Sequence, residues 1–368
     1  MQVERIETVT YALPFREPYV TARGTLDCRE MVLLRLRTDD GPEGIGEAVP
    51  LSLRGDQTLA KIEDAITGAA TRLIGLDLDA ADDDPLGFAV ATMLELTAAK
   101  RLPAAARAAL ECSLFDLVAK SSGQPLWRLL KAPDREPVLC NATLTAGDPG
   151  TVAAQAREWS NDGFQTFKLK LGAGYDDEGT VAGVREAVGP EAKIRVDLNE
   201  SLRPSDAVAL LRAIEPHGIE LAEQPASGLR GLARVRRDSD TPIAADESVA
   251  SEADAHRAVQ RQACDYATVK LSKVGGIGAT RRIAAVIPTY LSSALDGPVG
   301  IAAAAHASQM LRGDGNDPGL AHGLATQRLF AESVAAAECV VADGRLHLPD
   351  GPGLGVTLDD DALERHRL

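Results

Sequence analysis

Apolar and charged positions alternate most strictly along Phe167-Lys168-Leu169-Lys170-Leu171. A period of two predicts a strand with both lysines on one face. Upstream, residues 3–13 and 30–38 also read as strands. The turn Thr38-Asp-Asp-Gly41 leads to a further strand near Gly44-Ile-Gly-Glu-Ala48, which together make an antiparallel meander. Two segments of this region, 19–26 and 50–58, read as Gly-containing loops, and each carries an arginine, Arg23 and Arg54. From Leu59 to about Leu130 the period lengthens to that of helices. The segment from Pro103 to Lys120 is one helix, stopped at Ser-Ser-Gly123.

After Pro137 short apolar runs alternate with amphipathic helical segments. Strands are predicted near 138–144, 166–171, 193–198, 219–224, 242–247, 266–271, 289–295 and 320–326. Repeated β-α units of this length give a parallel sheet, and eight of them closing on themselves give a barrel. The expected fold class is α/β, a TIM-type barrel over 131–335 with an α+β capping domain over 1–130. A tail from 336 to 368 is expected to pack back onto the cap.

Composition narrows the partners. The net charge of −15 disfavours nucleic acid and anionic membranes. No apolar run has transmembrane length, and the charged start MQVERIETV is unlike a signal peptide. The five cysteines are scattered without CxxC spacing, which fits reduced thiols in the cytoplasm and argues against a thiolate zinc site. The six histidines form no HxH or HxxxH pair.

Chemistry concentrates at the predicted strand ends. Strand 2 of the barrel ends with Lys168 and Lys170, strand 3 with Asp197-Leu-Asn199, strand 4 with Glu223-Gln-Pro225, strand 5 with Asp246-Glu247-Ser248 and strand 6 with Lys270. The steps from Lys170 through Asp197, Glu223 and Asp246 to Lys270 are 27, 26, 23 and 24 residues. One charged residue therefore recurs per β-α unit, and in a barrel those ends converge on one mouth. A single acidic residue at a strand end is more often a helix cap; a series in register is a site. Three carboxylates converging there repel unless a divalent cation intervenes, and oxygen-only donors favour Mg²⁺ or Mn²⁺. A metal flanked by lysines on two sides suits removal of the proton next to a carboxylate, with the resulting enediolate stabilised on the cation. Mutual repulsion between Lys168 and Lys170 is expected to lower their pKa. Asn199 and Glu247 fit as partners that orient the ligands or a lysine. Lys273 competes with Lys270 for the second base. Strand alternation points the two in opposite directions, and Lys270 keeps the spacing.

These residues resemble the enolase superfamily, in its muconate-lactonizing group. The resemblance spans nearly the whole chain: GxGEA (Gly44 to Ala48), the KLK pair, DxN, EQP, DES and KxxKxGG (Lys270 to Gly276). It implies Asp197, Glu223 and Asp246 as metal ligands, Lys170 and Lys270 as the acid/base pair, and Lys168 as the residue that depresses the pKa of Lys170. It also implies two N-terminal loops closing over a small carboxylate substrate, and a homo-oligomer by analogy. Leu291-Ser-Ser-Ala-Leu-Asp-Gly-Pro-Val-Gly300 followed by His322-Gly-Leu-Ala-Thr326 looks like o-succinylbenzoate synthases. Dipeptide epimerases usually have Asp-x-Asp where His322 and Leu324 stand, and muconate cycloisomerases have a glutamate near Gly323. The expected activity is o-succinylbenzoate synthase-type dehydration or N-acyl amino acid racemisation. Dipeptide epimerisation or muconate-type cycloisomerisation is the alternative, and a non-catalytic binding barrel the second alternative. Arg23, Arg54, Ser293 and Asp296 are the expected substrate contacts.

Overall fold

The structure is a computed structural model that describes residues 1–39, 41–51, 57–81, 83–98 and 102–368. The chain opens with an antiparallel sheet of β1 (Val3–Thr21), β2 (Gly24–Thr38) and β3 (Glu43–Ala48). β1 and β2 are longer than their apolar alternation predicts. Their pairing runs from Val3↔Thr38 to Thr21↔Gly24, with an irregularity between Pro14 and Tyr19. Residues 19–26, expected as a loop, are therefore the twisted tip of a hairpin. Cross-strand backbone bonds hold the tip where side-chain pattern gives no signal. Helices α1 (Leu59–Ala70), α2 (Pro85–Ala98) and α3 (Ala104–Ser121) follow. α3 is buried along nearly its whole length and lies against β3. Gly44 and Gly46 permit that approach, because a Cβ on Gly46 would stand 2.0 Å from the Ala109 carbonyl oxygen.

A short helix α4 (Leu126–Leu129) and strand β4 (Val138–Leu139) lead into the barrel. Its parallel sheet runs β5 (Ala142–Leu144), β6 (Thr166–Lys170), β7 (Lys193–Asp197), β8 (Ile219–Glu223), β9 (Ile243–Ala245), β10 (Tyr266–Val269) and β11 (Thr289–Leu291), each strand beside its sequence neighbour. Outside it lie α5 (Pro149–Asn161), α6 (Asp177–Val188), α7 (Pro204–Ile214), α8 (Gly228–Asp238), α9 (Glu252–Gln260), α10 (Leu271–Val274), α11 (Ile277–Ala284) and α12 (Pro298–Gly313). Residues 320–326, expected as an eighth strand, form only parallel bridges, Cys140↔His322 and Ser292↔Gly323. Four backbone bonds of 2.7–2.9 Å still join this stretch to both edges of the sheet. Residues 325–329 then coil into a 3₁₀ turn. The architecture is an N-terminal cap with a C-terminal TIM-like barrel.

The tail pairs in two directions. β12 (Ala335–Ala337) joins β15 (Thr357–Leu358), while β13 (Val340–Ala342) and β14 (Arg345–His347) extend from β4. After a last helix, α13 (Asp360–Arg365), Leu368 N–H donates to the Thr10 carbonyl in β1. Asp116, buried in α3, accepts from Ile45 N–H of the cap and Leu354 N–H of the tail. Among the described residues no helix is long and apolar enough to cross a membrane.

His306 joins α12 to α4 and the tail. Its Nδ1 accepts from Trp127 N–H at 2.9 Å, so Nε2 carries the proton toward the Leu354 carbonyl at 3.2 Å. Burial pushes its pKa down to about 4. A depressed histidine lends stability above its unfolded pKa of roughly 6.5 and loses it as pH falls through the folded value. Between those limits the loss from His306 is expected to reach about 3 kcal/mol. Urea denaturation of wild type and His306→Gln across that range checks it, and the variant should show the shallower slope.

Candidate active site

Strand register puts the charged residues on one inner face. Lys170 pairs with Asp197, and Asp197 with Glu223. Glu223 pairs with Ala244, two residues before Asp246, and Tyr266 pairs with Ala244 from the other side. Asp246 therefore shares the face of Thr268 and Lys270. Beneath this layer Leu221, Ala244 and Tyr290 form a small apolar cluster with Tyr266 and Leu320. The Arg195 guanidinium lies over the Tyr290 ring in this cluster.

The three carboxylates are fully buried and bound to lysines. Lys168 Nζ lies 2.6 Å from Glu223 Oε2 and 2.9 Å from Asp197 Oδ2. Lys170 Nζ lies 2.6 Å from Asp197 Oδ2 and donates to Asn199 Oδ1 at 3.1 Å. Asn199 in turn donates to Glu247 Oε1 at 3.3 Å. Lys270 Nζ meets Asp246 Oδ2 at 2.6 Å, and Lys273 Nζ meets Asp246 Oδ1 at 2.7 Å. Lys270 and Lys273 do not point in opposite directions as strand alternation predicts. The strand ends at Val269, and Lys270 is the N-cap of α10. A helical turn brings residues three apart onto one side. Lys270 lines the pocket, whereas Lys273 is sealed beneath it by the Asp246 and Thr268 carbonyls.

The electrostatics also differ from expectation. Burial, the largest single effect, and Lys168 pull the Lys170 ammonium down, but Asp197, Tyr19 and Glu223 together hold it above the usual lysine range. Lys168 is treated the same way by Asp197 and Glu223, also against burial. Lysine–lysine repulsion is thus the smaller effect, because each ammonium lies 2.6–2.9 Å from carboxylate oxygens. Asp197 is held well below the carboxylate range, where Lys168, Lys170 and Lys270 override burial. Burial and Asp197 raise Glu223. Burial lowers Lys273, against the pull of Asp246.

A pocket opens to solvent above this layer, with about 700 Å³ of empty space when the open mouth is included, walled by Tyr19, Thr21, Arg29, Thr143, Ser292 and Thr326 among others. Arg23 lines it from the hairpin tip, paired with Glu200 at 2.6 Å. Ser293 lines it with its hydroxyl 2.6 Å from that of Thr326. Asp296 does not line it; the residue is buried behind the wall, accepting from Ser272 Oγ and Ala294 N–H. Arg54 lies outside the described residues.

Asp197, Glu223 and Asp246 are the oxygen donors that could hold a divalent cation. Glu223 Oε1 is buried without a hydrogen-bond partner among the described residues, an oxygen left for a cation to use. Among the described residues no three acidic, histidine or cysteine side chains stand as a ready cage, since each carboxylate is turned onto lysines. The donor types fit a hard cation, and binding one requires the carboxylates to turn from the lysines.

Sequence reading missed Tyr290. Its hydroxyl donates to Glu223 Oε2 at 2.8 Å and accepts from Thr268 Oγ1 at 2.7 Å. The signal was available only through register, because Tyr290 pairs with Thr268 across β10 and β11. Arg29 was also missed; it is a buried arginine in a run that reads as polar.

A cap over a TIM-like barrel, with a lysine–carboxylate layer at the C-terminal strand ends, defines a class of barrel enzymes. Family models match it as enolase C-terminal domain-like over residues 151–362 and as the mandelate racemase/muconate lactonizing enzyme N-terminal domain over 5–131. The chain belongs to the enolase superfamily, in the mandelate racemase/muconate lactonizing group, and is an enzyme of that group. It is 34% identical to the L-Ala-D/L-Glu epimerase of Bacillus subtilis, over 83% of this chain and 84% of that enzyme. The solved muconate lactonizing enzyme of Pseudomonas fluorescens, complexed with muconolactone, is 32% identical over 100% of this chain and 99% of that one, with a TM-score of 0.89. The dipeptide epimerase of Cytophaga hutchinsonii, complexed with Mg and D-Ala-L-Val, is 26% identical, covers 99% and 98%, and also gives 0.89.

Tyr290→Phe strands the Thr268 hydroxyl and deprives Glu223 of a donor. The expected cost is about 1–2 kcal/mol of folding stability, read from the shift in the denaturation midpoint at constant slope.

Proposed function

We propose that this enzyme removes the proton α to the carboxylate of a small substrate that carries no free ammonium group. The reaction is dehydration of the o-succinylbenzoate synthase type or racemisation of an N-acyl amino acid. One observation carries this reading: Lys170 and Lys270 line the same pocket from β6 and the end of β10, on either side of the three carboxylate-bearing strands. Four lysines against three carboxylates also leave the enclosed layer positive, which favours an anionic ligand.

Asp197, Glu223 and Asp246 would hold Mg²⁺ or Mn²⁺. Such a cation supplies the positive charge that offsets the charge developing on a substrate carboxylate as its α-proton leaves. Lys170 then takes or returns that proton at Nζ on one face of the substrate, and Lys270 does so on the other. Asn199 holds Lys170 Nζ in place from the Glu247 side. Lys168, fixed between Asp197 and Glu223, keeps positive charge beneath the reacting atoms. Ser293 and Arg23 contribute to the substrate-facing wall.

The ammonium-free substrate is supported by the lining, where Glu247 is the one acidic side chain among the described residues. His322 accepts from Leu291 N–H and Leu324 is buried in the core, so neither offers an ammonium a partner. Dipeptide epimerisation or muconate-type cycloisomerisation is the second reading, supported by relatives of those activities that match most of the chain. The barrel fits a (β/α)₇β pattern in which the bridged 321–323 stretch serves as the last strand, and we take 1–130, 131–335 and 336–368 as cap, barrel and returning tail.

Incubation with Mg²⁺ in D₂O tests the reading against succinyl-cyclohexadiene carboxylate, N-succinyl amino acids, dipeptides and muconate. α-Deuteration of an N-acyl substrate, or dehydration, is expected; exchange of dipeptides alone would favour the second reading, and no exchange at all a binding protein. Lys170→Ala and Lys270→Ala should each abolish exchange while leaving fold and metal affinity intact. Loss in Lys273→Ala with near-normal Lys270→Ala would overturn the choice of lysine. Glu223→Gln should weaken Mg²⁺ binding by calorimetry, and unchanged affinity would remove it from the ligand set.

A further inference from the structure

The cap meets the barrel through buried carboxylates at helix starts. Glu111 of α3 accepts from Ile277 and Gly278 N–H at the start of α11. Glu47, near the end of β3, accepts from Gly297 N–H at 2.6 Å, at the start of α12. The Tyr11 hydroxyl holds its other oxygen at 2.9 Å. The barrel makes room for this group with glycines. A Cβ on Gly297 would stand 2.7 Å from Glu47 Oε2, and one on Gly300 would stand 2.9 Å from Glu47 Oε1 and 3.1 Å from Asp296 Oδ1.

The residues just before this joint wall the pocket. Ser293, Ala294 and Leu295 line it, and Leu295 is left-handed at φ +64°. A branched side chain in that conformation persists only where its surroundings hold it. The holding bonds come from both domains: from the cap, Arg29 Nη2 donates to the Ala294 carbonyl at 2.8 Å and to the Pro50 carbonyl at 2.6 Å while Glu47 clamps the far end, and within the barrel Leu295 N–H donates to Ser293 Oγ at 2.8 Å.

We infer that Glu47 is a positioning residue for substrate binding, a carboxyl from the capping sheet that fixes the start of α12 and so holds the Ser293–Leu295 wall of the pocket. The groups facing it are Tyr11 from β1, Arg29 from β2, Cys112 from α3 and Asp296 from the α12 lead. Burial first, and Asp296 second, push its pKa up to about 8. Ionisation above that pH sets a second buried negative charge beside Asp296 and loosens the clamp. A glutamine keeps the geometry without the charge, accepting from Gly297 and donating to the Tyr11 oxygen.

The test compares wild type, Glu47→Gln, Glu47→Ala and Tyr11→Phe as full chains loaded with Mg²⁺. Hydrogen exchange of residues 292–300, which needs no substrate, should be about tenfold faster in Glu47→Ala and within about twofold of wild type in Glu47→Gln. Equal protection in Glu47→Ala overturns the inference. Should that variant not fold, Tyr11→Phe decides: about threefold faster exchange supports the inference and unchanged exchange overturns it. The kinetic arm rests on the proposed reaction and uses whichever panel carboxylate the wild type turns over. KM should rise about tenfold in Glu47→Ala with kcat within about twofold. Glu47→Gln should restore KM and abolish the wild-type rise in KM above about pH 8. A fall in kcat at constant KM overturns the positioning role. Absence of wild-type turnover counts against the proposed reaction, and hydrogen exchange still decides the clamp.

Discussion

Seven charges enclosed at one end of a barrel dominate the molecule: four lysine ammoniums and three carboxylates, each within hydrogen-bond reach of an opposite partner. Stripping such groups of water is costly, and only close pairing repays it. The parallel sheet supplies the pairing, because its register sets Lys170, Asp197 and Glu223 abreast and brings Asp246 and Lys270 to the same face. Asp197 and Asp246 each hold two ammoniums, so losing Lys170 or Lys270 leaves neither carboxylate without a partner, whereas losing Lys168 strips Glu223 of its one ammonium, a buried charge that is costly to leave alone. On the proposed reaction the layer exchanges partners, a cation taking the carboxylates and an anionic substrate the lysines.

The cap contributes more than cover. Glu47 and Glu111 reach from its sheet and its long helix to the starts of two barrel helices. Those helices begin beside Lys270–Lys273 on one side and the Ser293–Leu295 wall on the other. The tail closes the circuit, since Asp116 binds Ile45 of the cap sheet and Leu354 of the tail through one carboxylate. Cap, tail and barrel are thus coupled through buried polar bonds that tolerate little displacement. That coupling suits a pocket assembled from two domains.

The reading of Lys270 against Lys273 shows where sequence logic fails. Period-two alternation separates them, but the strand ends at Val269, two residues before its predicted end, and a helical turn reunites them on Asp246. The same limit hid the hairpin tip at 19–26, which backbone pairing holds. It also hid Tyr290, whose role depends on a neighbouring strand.

What the sequence by itself determined was the series of strand ends, the charged residue carried by each and the chemistry that such a series serves. These follow from local periodicity and from spacing within one chain segment, both of which survive without coordinates. Only the tertiary structure decided which lysine faces the pocket, that carboxylates outweigh lysine–lysine repulsion, that Asp296 stands behind the wall, and that Glu47 joins it there. Those outcomes depend on distances between residues far apart in the chain, and charge interactions at a few ångströms depend steeply on distance and burial, which no spacing in sequence encodes.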